Sequence, residues 1–249
     1  MAGKDYSVKN HTDVLIWRLL WRDAMIRLKN ISKGYEKTVI SDVTLQIEKG
    51  TRAGLIGTNG SGKTTLLSIM AGNLKPDSGE VWYDGKNATK DSSLFSSCVG
   101  YVPQINPLIE ELSVKDNLKL WYFDQKRRER LPQMLSLFRL EQDTDKKVSM
   151  LSGGMKKRLS IICSLADQPK ILLLDEPTAA LDIVSKAELL DCLDAYTKEG
   201  GTVFMTSHEE MEFAWFDEIY GIFKNSVEKL PQGTTVNDMV ERLRKEADV

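Results

Sequence analysis

Gly57-Thr58-Asn59-Gly60-Ser61-Gly62-Lys63-Thr64 meets the pattern G-x-x-x-x-G-K-[ST] at every fixed position. Residues of these types at this spacing can hold a phosphate. The glycines permit a tight turn that aims successive backbone N–H groups at one point, where a Cβ would block the phosphate or forbid the φ values. A helix beginning after the turn adds the partial positive charge of its N-terminus. Lys63 can then reach the β- and γ-phosphates of a nucleotide, and the Thr64 hydroxyl can ligate Mg²⁺; Thr65 joins the same candidate set. A chance match in a glycine-rich loop is the plain alternative. The flanks weigh against it: apolar Leu55-Ile56 precedes the turn as a strand would, and Leu66, Leu67, Ile69 and Met70 follow with helical spacing.

A second group of chemical interest is Ile171-Leu172-Leu173-Leu174-Asp175-Glu176, an apolar run that ends in two acids. Beside a phosphate loop, the first acid can hold Mg²⁺ through water, and the metal neutralises phosphate charge. The second can orient or deprotonate an attacking water. Pro177 stops the strand and turns the chain away. An Asp-Glu pair after an apolar run also describes two solvated carboxylates, and it is the phosphate loop that gives the pair chemical weight. Ser152-Gly153-Gly154 precedes the helical run Leu159, Ile161, Ile162, and so offers a second helix N-terminus suited to an anion.

These groups need a scaffold, and the hydrophobic pattern supplies one. Apolar and polar residues alternate at Ile26-Arg27-Leu28, Val43-Thr44-Leu45-Gln46-Ile47 and Val81-Trp82-Tyr83, which predicts half-buried antiparallel strands. Continuous apolar runs at 171–174, 202–205 and 219–223, separated by helical stretches, predict buried parallel strands of an α/β sheet. From about Asn106 to Ala166 the pattern is mostly helical and reads as an inserted subdomain. There Ser113-Val114-Lys115-Asp116 resembles a capping box, and Pro132 marks a break or a helix start. Thr235 can cap a last helix, with Val236, Met239, Val240 and Leu243 on one face. The expected division is an extension over 1–25, the main domain over 26–232 with its helical subdomain at about 106–166, and a C-terminal helix over 233–249.

Bulk properties narrow the class. The chain has 249 residues, 41% hydrophobic and 28% charged, enough for one large α/β core. A net charge of −2 argues against a general nucleic-acid binder, so no nucleic-acid partner is expected. Cys98, Cys163 and Cys192 lie far apart without a C-x-x-C, which reads as free thiols in a reducing compartment. No stretch approaches the roughly 20 apolar residues of a membrane-spanning helix, and no secretory signal is evident.

With these residues in place, the chain resembles the nucleotide-binding (ATP-binding) subunit of an ABC transporter. The stretch Leu151-Ser152-Gly153-Gly154-Met155, just ahead of the Asp175-Glu176 strand, is similar to the family signature, with Met155 where the family usually has Gln. The resemblance covers roughly residues 26–225. It implies an α/β fold: a P-loop NTPase core with an antiparallel β subdomain and an inserted α-helical subdomain. It implies that Tyr35 stacks on adenine and that Gln104, in Tyr101-Val102-Pro103-Gln104, reaches the metal and the attacking water. Asp182, in Thr178-Ala179-Ala180-Leu181-Asp182, would touch an opposite subunit, and His208, after Thr206-Ser207, the γ-phosphate. Each residue has a plainer reading: Tyr35 packs on the sheet, Gln104 is a loop amide, Asp182 is structural, His208 is an ordinary histidine. By the resemblance the ligands are ATP and Mg²⁺, with Thr64, Gln104 and Asp175 at the metal, Glu176 as general base, and Lys63 stabilising developing charge.

The resemblance also implies partners. Two cassettes, identical or different, would sandwich ATP, with Ser152-Gly153-Gly154 of one meeting the γ-phosphate held by the other. A separate transmembrane permease subunit would receive the chain at the cytoplasmic face of the membrane, through a surface around Ile105–Trp121. Trp121, Tyr122 and Phe123 could serve that surface or form the subdomain's own core, and 126–130 could lie near anionic lipid or be a solvated helix face. The short stretch after His208 mildly favours an exporter-type system. A soluble ABC-type ATPase acting as an assembly or regulatory module is the alternative. A cassette that binds ATP without hydrolysing it is disfavoured by intact Lys63, Asp175, Glu176 and His208. A GTPase is disfavoured because no Asn-Lys dipeptide occurs. In the extension, Trp17, Trp21, Arg18 and Arg22 resemble membrane-interface residues; docking on the chain's own domain, or a true start at Met25, is the preferred reading.

Overall fold

The computed structural model describes residues 24–207, 210–231, 233–235, 237–239 and 241–242. Residues 1–23 of the expected extension over 1–25, His208, and Val236, Val240 and Leu243 of the expected last helix lie outside the described residues, while Ala24 and Met25 belong to the first strand. The Thr235 cap is described: its hydroxyl accepts from the Asp238 N–H at 3.3 Å, and the Asp238 carboxylate accepts from the Thr235 N–H at 2.8 Å.

Two sheets organise the chain. β1 (Ala24–Gly34), β2 (Thr38–Glu48), β4 (Ser78–Tyr83) and β5 (Lys86–Asn87) form an antiparallel sheet in the order β2-β1-β4-β5. β1 begins two residues ahead of the alternation at Ile26, and Met25 is already buried. The second sheet takes β3 (Arg52–Ile56), β6 (Val99–Val102), β7 (Ile171–Leu174), β8 (Thr202–Ser207), β9 (Glu218–Phe223) and β10 (Ser226–Lys229) in the order β10-β9-β3-β8-β7-β6. Every pairing in it is parallel except β10 against β9.

The helices are α1 (Lys63–Met70), α2 (Ser93–Cys98), α3 (Val114–Trp121), α4 (Gln125–Leu137), α5 (Gly153–Ser164), α6 (Ile183–Lys198) and the short α7 (Glu210–Phe213). Along β7 successive side chains point to opposite faces. Leu172 and Leu174 enter one core with α3, α5 and α6, while Ile171 and Leu173 enter another with α1 and the antiparallel sheet. β8 divides the same way, Val203 and Met205 against Phe204. The parallel sheet is thus a wall between two cores, covered on both faces, and its strands read as continuous apolar runs for that reason.

The helical stretch begins as its sequence requires. Ser113 Oγ accepts the Asp116 N–H at 3.2 Å, and the Asp116 carboxylate accepts the Ser113 hydroxyl at 2.5 Å. Pro132 corrects the reading of a break: it sits inside α4, which runs unbroken from Gln125 to Leu137. A proline inside a helix removes one backbone hydrogen bond and costs roughly 3 kcal/mol. The Asp124 cap, which accepts the Arg127 N–H at 2.9 Å, and burial of Met134, Phe138 and Leu140 against the core offset that loss.

Candidate functional site

Each chemical group follows the C-terminal end of a parallel strand: Lys63 after β3, Gln104 after β6, Asp175 and Glu176 after β7, Ser207 closing β8. The twisted parallel sheet delivers these loops to one edge, where open α/β sheets bind ligands.

The loop from Gly57 to Gly62 is shaped for an anion. Gly60 and Gly62 hold φ of +78° and +104°, in the left-handed region that glycine tolerates. A Cβ on Gly62 would also come within 2.9 Å of Val39 and Ile40 of β2. Gly62 caps α1 without a side chain, and no acidic residue lies in the first turn, so the first N–H groups carry no side-chain cap. Ser61 Oγ is buried and has no hydrogen-bond partner. Gly57 is buried, Thr58, Asn59, Gly60 and Thr64 are exposed, and Thr65 is half-buried. Lys63 is buried, its ammonium donating to the carbonyls of Gly57 at 2.9 Å and Thr58 at 3.2 Å. An orphaned buried hydroxyl, uncapped N–H groups and a converging ammonium fit a polyphosphate.

Lys63, Gln104 and Glu176 come together. Lys63 Nζ lies 3.6 Å from Glu176 Oε1, and Gln104 Nε2 donates to Glu176 Oε2 at 3.0 Å. Glu176 has φ +45°, uncommon for a residue with a side chain and more so before a proline. Thr206 of β8 holds it there. The Glu176 N–H donates to Thr206 Oγ1 at 2.8 Å, and the same hydroxyl donates to Asp175 Oδ1 at 2.8 Å. Asp175 is buried, with its N–H on the Val102 carbonyl of β6 at 2.9 Å. One hydroxyl therefore fixes both acids. In the sequence Thr206 is read only as part of Thr206-Ser207-His208, and nothing there shows the bridge.

Thr64, Asp175 and Gln104 supply oxygen donors of the hard type Mg²⁺ takes. Among the described residues no group of three or more His, Cys, Asp or Glu side chains is placed to hold a metal. A cation here would take its other ligands from phosphate oxygens and water.

The second helix N-terminus is built separately. Ser152 caps α5, its Oγ accepting the Met155 N–H at 3.2 Å. Ser152 and Gly153 are exposed, while Gly154 is buried where a Cβ would approach Ser185 of α6 at 2.7 Å. That glycine lets two helices meet. Met155 turns toward the core and packs on it. Asp182 caps α6: the Ser185 N–H at 2.9 Å and hydroxyl at 2.7 Å hold its carboxyl below the usual range. Asp182, Ser185 and Gly154 thus link the start of α6 to the start of α5. Tyr35, on the turn between β1 and β2, is 67% exposed, with Lys33 Nζ 5.6 Å from its ring centre.

Lys157 went unnoticed in the sequence. It is 4% exposed and donates to the carbonyls of Pro103 at 3.3 Å and Gln104 at 3.0 Å. Burial lowers its pKa to about 8, partly offset by the charge of Asp175. It stands in the basic stretch Lys156-Lys157-Arg158. Of Trp121, Tyr122 and Phe123, the structure buries Tyr122 in the core and leaves Trp121 and Phe123 exposed. Among the described residues no helix is long and apolar enough to cross a membrane.

Comparison with known proteins shows the family. Residues 40–179, more than half of the chain, match the profile of the family described as ABC transporter. The chain is 35% identical over 192 residues to Nod factor export ATP-binding protein I of Sinorhizobium fredii, covering 75% of this chain and 56% of that protein. It is 37% identical over 194 residues to the probable sulfate/thiosulfate import ATP-binding protein CysA of Chlorella vulgaris, covering 75% and 82% respectively. A bacterial ABC transporter cassette solved as a dimer superposes with a TM-score of 0.72 at 29% identity, covering 83% of this chain and 99% of that one. The chain spans about half the length, or less, of several curated relatives that it matches.

Proposed function

The chain belongs to the ABC transporter family, and on that premise we propose that it is an ATP-binding and ATP-hydrolysing subunit that pairs with a second cassette to drive transport through a separate transmembrane partner. The observation that carries the hydrolytic reading is the contact of Lys63 and Gln104 with Glu176 beside the phosphate loop. Lys63 exchanges its loop carbonyls for β- and γ-phosphate oxygens, and the loop N–H groups take the remaining phosphate charge. Glu176 accepts a proton from the attacking water as its oxygen bonds to the γ-phosphorus and the bond to the bridging oxygen of ADP breaks. Gln104 orients that water, and Tyr35 stacks on adenine. His208, the next residue after Ser207 in the sequence, is assigned to the γ-phosphate by family resemblance. Thr64, Asp175 and Gln104 would hold Mg²⁺, which supplies charge neutralisation on the phosphates.

The second cassette is supported by the exposed start of α5. Ser152 and Gly153 offer a helix N-terminus, flanked by exposed Met150 and, beside Asp182, exposed Ile183 and Val184. A solved bacterial ABC transporter cassette that is dimeric supports the pairing of two cassettes. The membrane partner is supported by an exposed apolar set after Gln104: Ile105, Ile109, Trp121 and Phe123. Docking there would hold the chain at the cytoplasmic face through the permease. Export is the direction the Nod factor relative supports, and the import relative defines the opposite outcome.

Affinity capture of the full chain from detergent-solubilised membranes tests the partner. Recovery of a polytopic membrane protein that raises ATP turnover is expected. ATP hydrolysis with no such protein recovered would favour the assembly or regulatory reading.

A further inference from the structure

A buried ammonium is an unfavourable choice for a helix position unless hydrogen bonds replace the hydration it loses. Lys157 occupies such a position on α5, just over one turn from the helix start at Gly153, between buried Gly154 and Leu159. Its replacements for water are two main-chain carbonyls, those of Pro103 and Gln104. Both belong to the segment that leaves β6, and Gln104 carries the amide that touches Glu176. One side chain therefore ties the helix that presents Ser152 and Gly153 to the backbone of the residue that contacts the second acid.

Resting on the hydrolytic reading above, we propose that Lys157 is a positioning residue that transmits the placement of α5 to Gln104, and through it to Glu176. The chemistry follows from the donors. An ammonium presents three N–H groups, and two on the carbonyls of Pro103 and Gln104 hold the stretch of peptide on both sides of the Gln104 Cα. When an anion draws the N-terminus of α5 toward it, the strap pulls on that peptide and moves the Gln104 amide with it. When α5 moves away, the amide is carried off Glu176. Lys157 itself touches neither nucleotide nor the reacting atoms.

The test compares the full-length chain with Lys157→Met, which keeps the bulk and removes the donors, and Lys157→Arg, which keeps donors and charge. Lys157→Met is expected to lower kcat for Mg-ATP about ten-fold while the ATP dissociation constant stays within about two-fold, and Lys157→Arg to recover most of the loss. In the double variant with Gln104→Ala, the loss should equal that of Gln104→Ala alone, because the strap acts only through that residue. Amide hydrogen exchange over 104–106 should quicken in Lys157→Met and not in Lys157→Arg. A Lys157→Met kcat within two-fold of wild type, full additivity with Gln104→Ala, or unchanged exchange would each overturn the proposal. A wild-type chain that binds ATP without turnover would overturn the hydrolytic reading alone, and the exchange comparison would still decide the strap.

Discussion

Glu176 is held by three neighbours whose chemistry is complementary: an ammonium, an amide and a hydroxyl. The Lys63 and Gln104 contacts set its carboxylate, and Thr206 sets its backbone in the left-handed region. Such backbone costs on the order of 1–3 kcal/mol and persists where surrounding bonds over-determine it. Thr206 is the residue that does so, because its single hydroxyl accepts from Glu176 and donates to Asp175. Thr206→Val keeps the shape and removes both bonds. Under the proposed mechanism it should lower ATP turnover by roughly ten-fold or more, the equivalent of one or two lost hydrogen bonds, while Thr206→Ser retains most activity. Equal turnover in the valine variant would remove the bridge from the mechanism. The acids and the lysine were legible in the sequence, since their types and spacing carry the chemistry directly. Thr206 and Lys157 were not, because their importance lies in partners 30 and about 50 residues away along the chain.

Elements behave differently from residues in what their sequence discloses. The parallel strands were readable because both of their faces are covered, and continuous apolar runs follow from that. The antiparallel strands were readable from alternation. Pro132 was misread because the rule applied to it is local, whereas α4 is held by its Asp124 cap and by the burial of Met134 and Phe138. Gly154 shows the same limit. Its place in the signature stretch suggests phosphate contact, and the structure gives it a packing role, with α6 closing on it at Ser185. Gly154→Val should therefore destabilise the fold by about 1–3 kcal/mol through overpacking, read as a lower urea midpoint with an unchanged slope. The same substitution at Gly153, whose nearest neighbour would be Leu181 at 3.3 Å, should be far milder in stability. Equal losses at the two positions would contradict the packing assignment.

At the scale of the whole molecule, one parallel sheet separates two cores and gathers the reactive groups on its edge. That architecture was legible from the order of strand and helix patterns, and the family match bears it out. What the sequence could not display is how the helix N-termini of α1 and α5 are joined. The structure joins them through side chains: Lys157 of α5 to the Gln104 carbonyl, the Gln104 amide to Glu176, and Glu176 to Lys63 of the phosphate loop. On the proposed reading, the phosphate loop and Ser152-Gly153 are halves of different sites, and a second cassette brings them to one ATP. The most direct measurement replaces Glu176 by Gln in the full chain and follows ATP binding, phosphate release and molar mass by light scattering together. The account predicts ATP affinity within about three-fold of wild type, turnover reduced by roughly 10²-fold or more, and accumulation of an ATP-bound dimer. Near-normal phosphate release from that variant would contradict it.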